Sequence, residues 1–201
     1  MSRVKEFEPD QALDAAMRLF WQRGYEATSM ADLVAATGVA RASLYATFGS
    51  KHDLYLRALD RYVRQRDPVL VERLAGPGSA LPAIRSVLDD FVAEATGAGD
   101  LGCFVVNAAV ERMSADTAVA LSVETSWETI EVALTSALLR ARGSGELAAG
   151  ADPRRLARFL MVVLEGLRVV GKGRTGAIRA RDAADEAFAA LLAWAPPGPA
   201  H

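Results

Sequence analysis

The chain has one cysteine, Cys103, and two histidines, His52 and His201, in 201 residues. A disulfide framework within the chain is excluded, and a thiolate–imidazole zinc site has too few ligands. The single thiol suits a reducing compartment. Uncharged stretches such as residues 74–84 and 101–110 fall well short of the ~20 apolar residues that a membrane-spanning helix needs. The start of the chain, residues 1–9, has no apolar segment of the secretory type, so a cytoplasmic protein without a membrane partner is expected. There is no large excess of either charge, with 23 Lys and Arg against 25 Asp and Glu. Strand patterns and internal repeats are also wanting. What the chain has is apolar residues, 51% of the total, enough for a real core and incompatible with an intrinsically disordered polymer.

Charge is unevenly placed. Residues 1–66 carry 10 basic and 8 acidic side chains, and the remainder carries 13 and 17. The sign favours an anion-binding N-terminal part. Helical periodicity runs through nearly the whole chain. Helices are expected over residues 10–23, capped by Asp10 and ended by Gly24, then 29–37, 41–48 and 50–75. Ser50 with Asp53 has capping-box spacing. Further helices are expected over 83–95, 104–111, 115–142, 153–170 and 181–194, and residues 196–201 should fray. The fold class is therefore all-α: a three-helix N-terminal unit, residues 1–49, joined by a long helix to a helical bundle, residues 50–201.

Residues 28–51 carry the chemistry. Two short amphipathic helices reverse direction at Gly38, which forms a helix-turn-helix. Leu44 and Phe48 anchor the second helix. Arg41, Ala42, Ser43, Tyr45, Ala46 and Thr47 then face outward, offering a guanidinium for guanine, hydroxyls, and methyls for thymine. Helix starts at Ser29 and Ser50 present free N–H groups to phosphates, with Lys51 adjacent and Thr28, Ser29 and Tyr45 as hydroxyl donors.

The series Gly24-Tyr25, Thr28-Ser29, Asp32-Leu33, Gly38-Val39, Leu44-Tyr45, Phe48, Ser50-Lys51 and Leu54 resembles the DNA-binding domain of the tetracycline-repressor family. Residues 102–111 and 156–167 more loosely resemble one branch of its ligand-binding domains. The resemblance implies a dimeric regulator, a repressor released from a palindromic double-stranded operator by a small-molecule effector, with no enzyme activity and no cofactor. It also implies a four-helix dimer interface from the last two long helices, and the apolar stripes Leu156, Leu160, Val163, Leu167 and Ala184, Phe188, Leu191 are its candidates. Candidate effector contacts are Phe91, Cys103, Phe104, Asn107, Glu111, Trp127, Met161 and Glu165.

Competing readings are thinner. Residues 166–173 match most of a phosphate-binding loop but end in glycine and follow no strand. Cys103 lacks a neighbouring base in sequence, and packing is its default role beside that of a redox- or electrophile-sensing thiol. A small all-helical enzyme or ligand carrier without DNA binding remains the alternative, though no acid–base pair, nucleophile or metal cluster supports it.

Overall fold

The computed structural model describes residues 7–97 and 101–194, and within them the chain forms nine helices and no strand. They are α1 (Pro9–Arg23), α2 (Met30–Thr37), α3 (Arg41–Phe48), α4 (Lys51–Ala75), α5 (Ala80–Thr96), α6 (Phe104–Arg112), α7 (Thr117–Gly143), α8 (Pro153–Val170) and α9 (Gly176–Leu192). The all-α reading holds. Among the described residues no helix is long and apolar enough to cross a membrane. The expected fraying of residues 196–201 lies outside the described residues.

Four of the nine helices described start at a local side-chain cap. Ser29 and Ser50 cap α2 and α4, each in a capping box with the aspartate three residues on. Asp116 and Asp152 cap α7 and α8. Three expectations need correction. Asp10 does not cap α1, because the helix already starts at Pro9, which has no N–H in need of an acceptor; Asp10 instead pairs with Arg61 on α4 at 3.1 Å. Helix α5 begins at Ala80, not residue 83. Pro82 is tolerated in its first turn, where N–H groups have no intrahelical partner. The Glu146 carboxylate takes the N–H groups of Ala80 and Leu81 at 3.1 and 3.0 Å. Helix α9 begins at Gly176, five residues before the apolar periodicity becomes clear.

Two cores form, and they do not divide at residue 49. One joins α1–α4 to Cys103, Phe104, Val105 and Ala108 of the α6 region and to Val119 and Val123 of α7. Its centre is aromatic: Tyr55 on α4 meets Phe20, Tyr25 and Phe104 edge-on, with ring centroids 5.0–5.5 Å apart. The other core belongs to α4, α5 and α7–α9. Helix α4 thus spans both. Pro68 lies inside it, removing the amide that would bond the Arg64 carbonyl and leaving a point where the helix bends easily.

The glycine-rich run at residues 171–173 is a helix end. The Gly171 N–H returns to the Leu167 carbonyl at 2.9 Å, and Lys172 donates to the Leu101 carbonyl at 3.1 Å. Continuous helix up to residue 170 rules out a loop of amides around a phosphate.

Candidate nucleic-acid interface

Helix α3 is placed by its turn. Gly38 adopts φ +67°, a left-handed conformation natural to glycine, and its N–H bonds Val34 at 2.9 Å. The Thr37 hydroxyl donates to the Leu33 carbonyl at 2.7 Å and accepts from the Val39 N–H, which fixes the exit from α2. Leu44 and Phe48 are buried, whereas Arg41, Ala42, Tyr45 and Ala46 are exposed and Ser43 and Thr47 are half-buried. The Arg41 guanidinium lies 5.6 Å from the Tyr45 ring centroid and within 3.4 Å of its hydroxyl. Arginine and tyrosine thus form one unit on the outward face of a short helix, suited to a major groove.

The flanking groups divide. Lys51 sits on the first turn of α4 with Nζ 4.1 Å from the Tyr25 ring centroid, a stack that holds the ammonium in place. Ser29 is exposed but its hydroxyl is spent on the cap of α2, and the Asp32 carboxylate accepts the Ser29 N–H. Asp53 does the same for Ser50. Hydrogen bonds from these serines hold both aspartates below the usual carboxylate range. The helix starts therefore have partly filled anion sites, with the N–H groups of residues 30–31 and 51–52 left for a phosphate. Thr28 is a correction: it is fully buried, and its hydroxyl donates inward to the Gly24 carbonyl at 2.7 Å, so it cannot reach DNA. Arg57, missed in the sequence, is exposed on α4 beside the end of α3, with its guanidinium 5.6 Å from the Phe48 ring. Only the packing of α4 against α3 brings it there, and no local spacing signals it.

Two family models describe this chain: "Bacterial regulatory proteins, tetR family" over residues 12–58, and "Tetracyclin repressor-like, C-terminal domain" over residues 80–190. The chain belongs to the tetR family. It is 35% identical over 193 residues to the uncharacterized HTH-type transcriptional regulator YezE of Bacillus subtilis (strain 168), covering 95% of this chain and 100% of that protein. It is 33% identical to the HTH-type transcriptional repressor ComR of Escherichia coli (strain K12), covering 83% of this chain and 80% of ComR. A solved structure of the TetR family transcriptional regulator CifR, a cysteine mutant complexed with 26bp double-strand operator DNA, matches with a TM-score of 0.83 and 34% identity over 94% of this chain and 100% of that one. This tetR-family protein is therefore a DNA-binding transcriptional regulator and not an enzyme.

The C-terminal candidates are redistributed. Phe91 lines a cavity of about 190 Å³ between α4 and α5, floored by Arg168 of α8. Cys103 and Phe104 are buried in the N-terminal core instead. Asn107 donates to the Leu101 and Trp21 carbonyls at 3.2 and 3.5 Å, and Glu111 accepts the N–H groups of Tyr25 and Glu26 at 2.9 Å each. Both are corrections, because these polar groups tie α6 to the DNA-binding unit and do not line the cavity. Trp127 and Met161 line a separate depression between α7 and α8. Glu165 pairs with Arg168 at 3.2 Å, and Arg168 also donates to Cys103 Sγ at 3.3 Å.

Four of the seven dimer candidates are corrected as well. Leu160, Leu167, Ala184 and Leu191 are at most 2% exposed in the subunit's own core, and Leu156, Val163 and Phe188 pack half-buried against it. A partner chain cannot reach the four enclosed side chains, whereas Leu156, Val163 and Phe188 keep part of their surface outside. The apolar groups left outside on α8 and α9 are Phe159, Val162, Val169, Val170, Ile178 and Leu192.

Proposed function

We propose that the protein is a homodimeric repressor that binds a palindromic double-stranded operator and leaves it when a small molecule enters the C-terminal bundle. The observation that carries this reading is α3, whose exposed Arg41–Tyr45 face has no use inside the subunit. One such helix per subunit and two half-sites about 34–36 Å apart match a two-fold dimer. The apolar groups outside on α8 and α9 supply a surface that would otherwise be wet, and helices of two subunits would cover it in a four-helix arrangement. ComR, a repressor by name, and CifR, solved on operator DNA, support the assignment.

Release needs a connection from bundle to α3, and two are present. Helix α4 runs from Lys51 at the DNA face to the cavity, bending most easily at Pro68. Helix α6 runs from Cys103, in contact with Arg168 on the cavity floor, to Glu111, clamped on the turn between α1 and α2. A ligand that shifts Arg168 or the walls of the cavity bears on both helices. A displacement of a few ångströms between the two α3 helices breaks register with the half-sites, and a ligand preference of about 1–3 kcal/mol is enough for regulation. Footprinting on the DNA that flanks its own gene, with sedimentation of the complex, tests the reading. A symmetric protected site holding two chains, or a multiple of two, is expected. A single unpaired half-site occupied by one chain, or no protection at low salt, overturns it.

A further inference from the structure

The cavity floored by Arg168 has an internal charge arrangement that its rim does not share. At the rim, Arg66 pairs with Glu94 and Arg73 with Asp90, two α4–α5 ion pairs in which each charge is met. Deeper in, Arg168 is ion-paired to Glu165 behind the floor, while Asp67 on the wall feels the Arg168 and Arg66 charges without an ion pair of its own among the described residues. Arg168, 11% exposed, lies 4.0 Å over the Phe91 ring and holds Glu165 Oε1 at 3.2 Å. The other oxygen of Glu165 is buried without a hydrogen-bond partner among the described residues. Asp67 lines the cavity itself, and among the described residues its hydrogen-bond partner is the Ser126 hydroxyl, on Oδ2 at 2.9 Å. Burial drives both carboxyls toward their neutral forms. Leaving the Glu165 carboxylate desolvated and short of a donor is costly, Asp67 adds a second, half-buried carboxylate on the cavity wall, and a group that brings positive charge offsets both.

We propose that this cavity binds a compact organic cation: an ammonium group hydrogen-bonded to Asp67, carried on a small apolar body packed among Leu70, Val87, Phe91 and Ile130. The inference rests on the ligand-released regulator reading and names the chemical class of its effector. An anionic ligand is disfavoured, since every guanidinium at the site is already engaged by a carboxylate and a further negative charge would have none to spare. A neutral ligand leaves the deficit in place. The volume, about 190 Å³, is comparable to an apolar cavity of about 150 Å³ that takes up benzene, which suits a single ring or short chain.

The test uses the full chain at neutral pH with three probes of one shape: benzylammonium, benzyl alcohol and benzoate. Calorimetric titration is expected to give saturable binding of benzylammonium, at least about tenfold tighter than of either other probe. Asp67→Asn should lower the benzylammonium affinity about tenfold while leaving the protein folded, because it removes a desolvated charge and keeps a group for Ser126. Glu165→Gln should weaken it by a smaller factor. Equal or tighter binding of benzyl alcohol or benzoate, an Asp67→Asn variant that binds benzylammonium as the parent does, or no binding of any probe up to about 10 mM overturns the proposal. Operator release is scored separately. Benzylammonium that binds in an Asp67-dependent way without loosening the operator leaves the cation site standing and counts against the effector reading. Release by a neutral or anionic compound does the reverse.

Discussion

Gly24 and Glu111 occupy each other's space. A Cβ on Gly24 would lie 2.7 Å from Glu111 Oε2, and the backbone there has φ +80°. Glycine at this turn therefore serves twice: it takes a conformation that side chains disfavour, and it lets a carboxylate from α6 approach the N–H groups of Tyr25 and Glu26. Arg112 reinforces the joint, ion-paired to Glu26 and to Asp116, with its guanidinium 4.6 Å from the Tyr25 ring centroid. Gly24→Ala should cost about 1–3 kcal/mol through backbone strain and loss of the clamp. Glu111→Gln, with one acceptor where two N–H groups need two, should cost about 1.5–3 kcal/mol. Denaturant titration checks both, and an unchanged midpoint for Glu111→Gln would show the clamp to be idle.

The recognition face gives a second prediction, in which two residues fail differently. Arg41→Ala should lose about 1–3 kcal/mol of discrimination at one base pair, because a forked contact to guanine is specific. Lys51→Ala should instead weaken binding to all duplexes and lower the slope of log affinity against log salt by about one. Gel shifts on operator and scrambled DNA at several salt concentrations separate them. Identical losses on both sequences for Arg41→Ala would remove it from base reading.

How much of this was legible in the sequence depended on how far apart the partners lie in the chain. Gly38, the Ser29 and Ser50 caps and the Leu44–Phe48 anchors act within a few residues, so their spacing alone revealed the helix-turn-helix. Glu111 acts on residues 85 and 86 positions away, and no helical pattern encodes that, so it read as a polar group awaiting a ligand. Thr28 misled for a local reason: a hydroxyl before a helix start can serve a phosphate or its own turn, and here the Gly24 carbonyl claims it. On α8 both faces are apolar. Leu160, Leu164 and Leu167 make one stripe and Phe159, Val162 and Val169 another, and only the packed bundle decides which is internal.

That division on α8 sets the third prediction. Phe159→Glu combined with Val162→Glu should yield folded monomers, since both side chains are outside the subunit core. Leu160→Glu should unfold the subunit, because it buries an unpaired charge at a fully enclosed site, a penalty of several kcal/mol. Sedimentation and circular dichroism read the two outcomes. An intact dimer in the Phe159/Val162 variant would place the interface elsewhere.

The last prediction concerns pH, where two groups of carboxylates pull in opposite directions. Asp67 and Glu165 have raised pKa values, with burial the main cause and neighbouring Ser126 and Arg168 only partly offsetting it. From the ordinary carboxylate pKa near about 4 upward to the raised values, the folded state holds more protons than the unfolded one, so these groups reduce stability as pH rises through that window. Asp116 is the reverse. Its desolvation is outweighed by bonds from the Val119 N–H, His52 and Arg112, which hold its pKa down. Its contribution is present above the ordinary pKa and is lost as pH falls through the lowered one. Asp67→Asn should therefore melt higher relative to the parent at pH 7 than near pH 4, and Asp116→Asn should melt lower relative to the parent at pH 7, with the deficit shrinking in acid. Thermal unfolding of the parent and both variants across pH 2 to 8 measures these differences, the Asp116 window lying below about pH 4 and the Asp67 window above it. Parallel curves for parent and Asp67→Asn would mean that the Asp67 carboxyl titrates alike in the folded and unfolded chains, and the strain assigned to its burial would be absent.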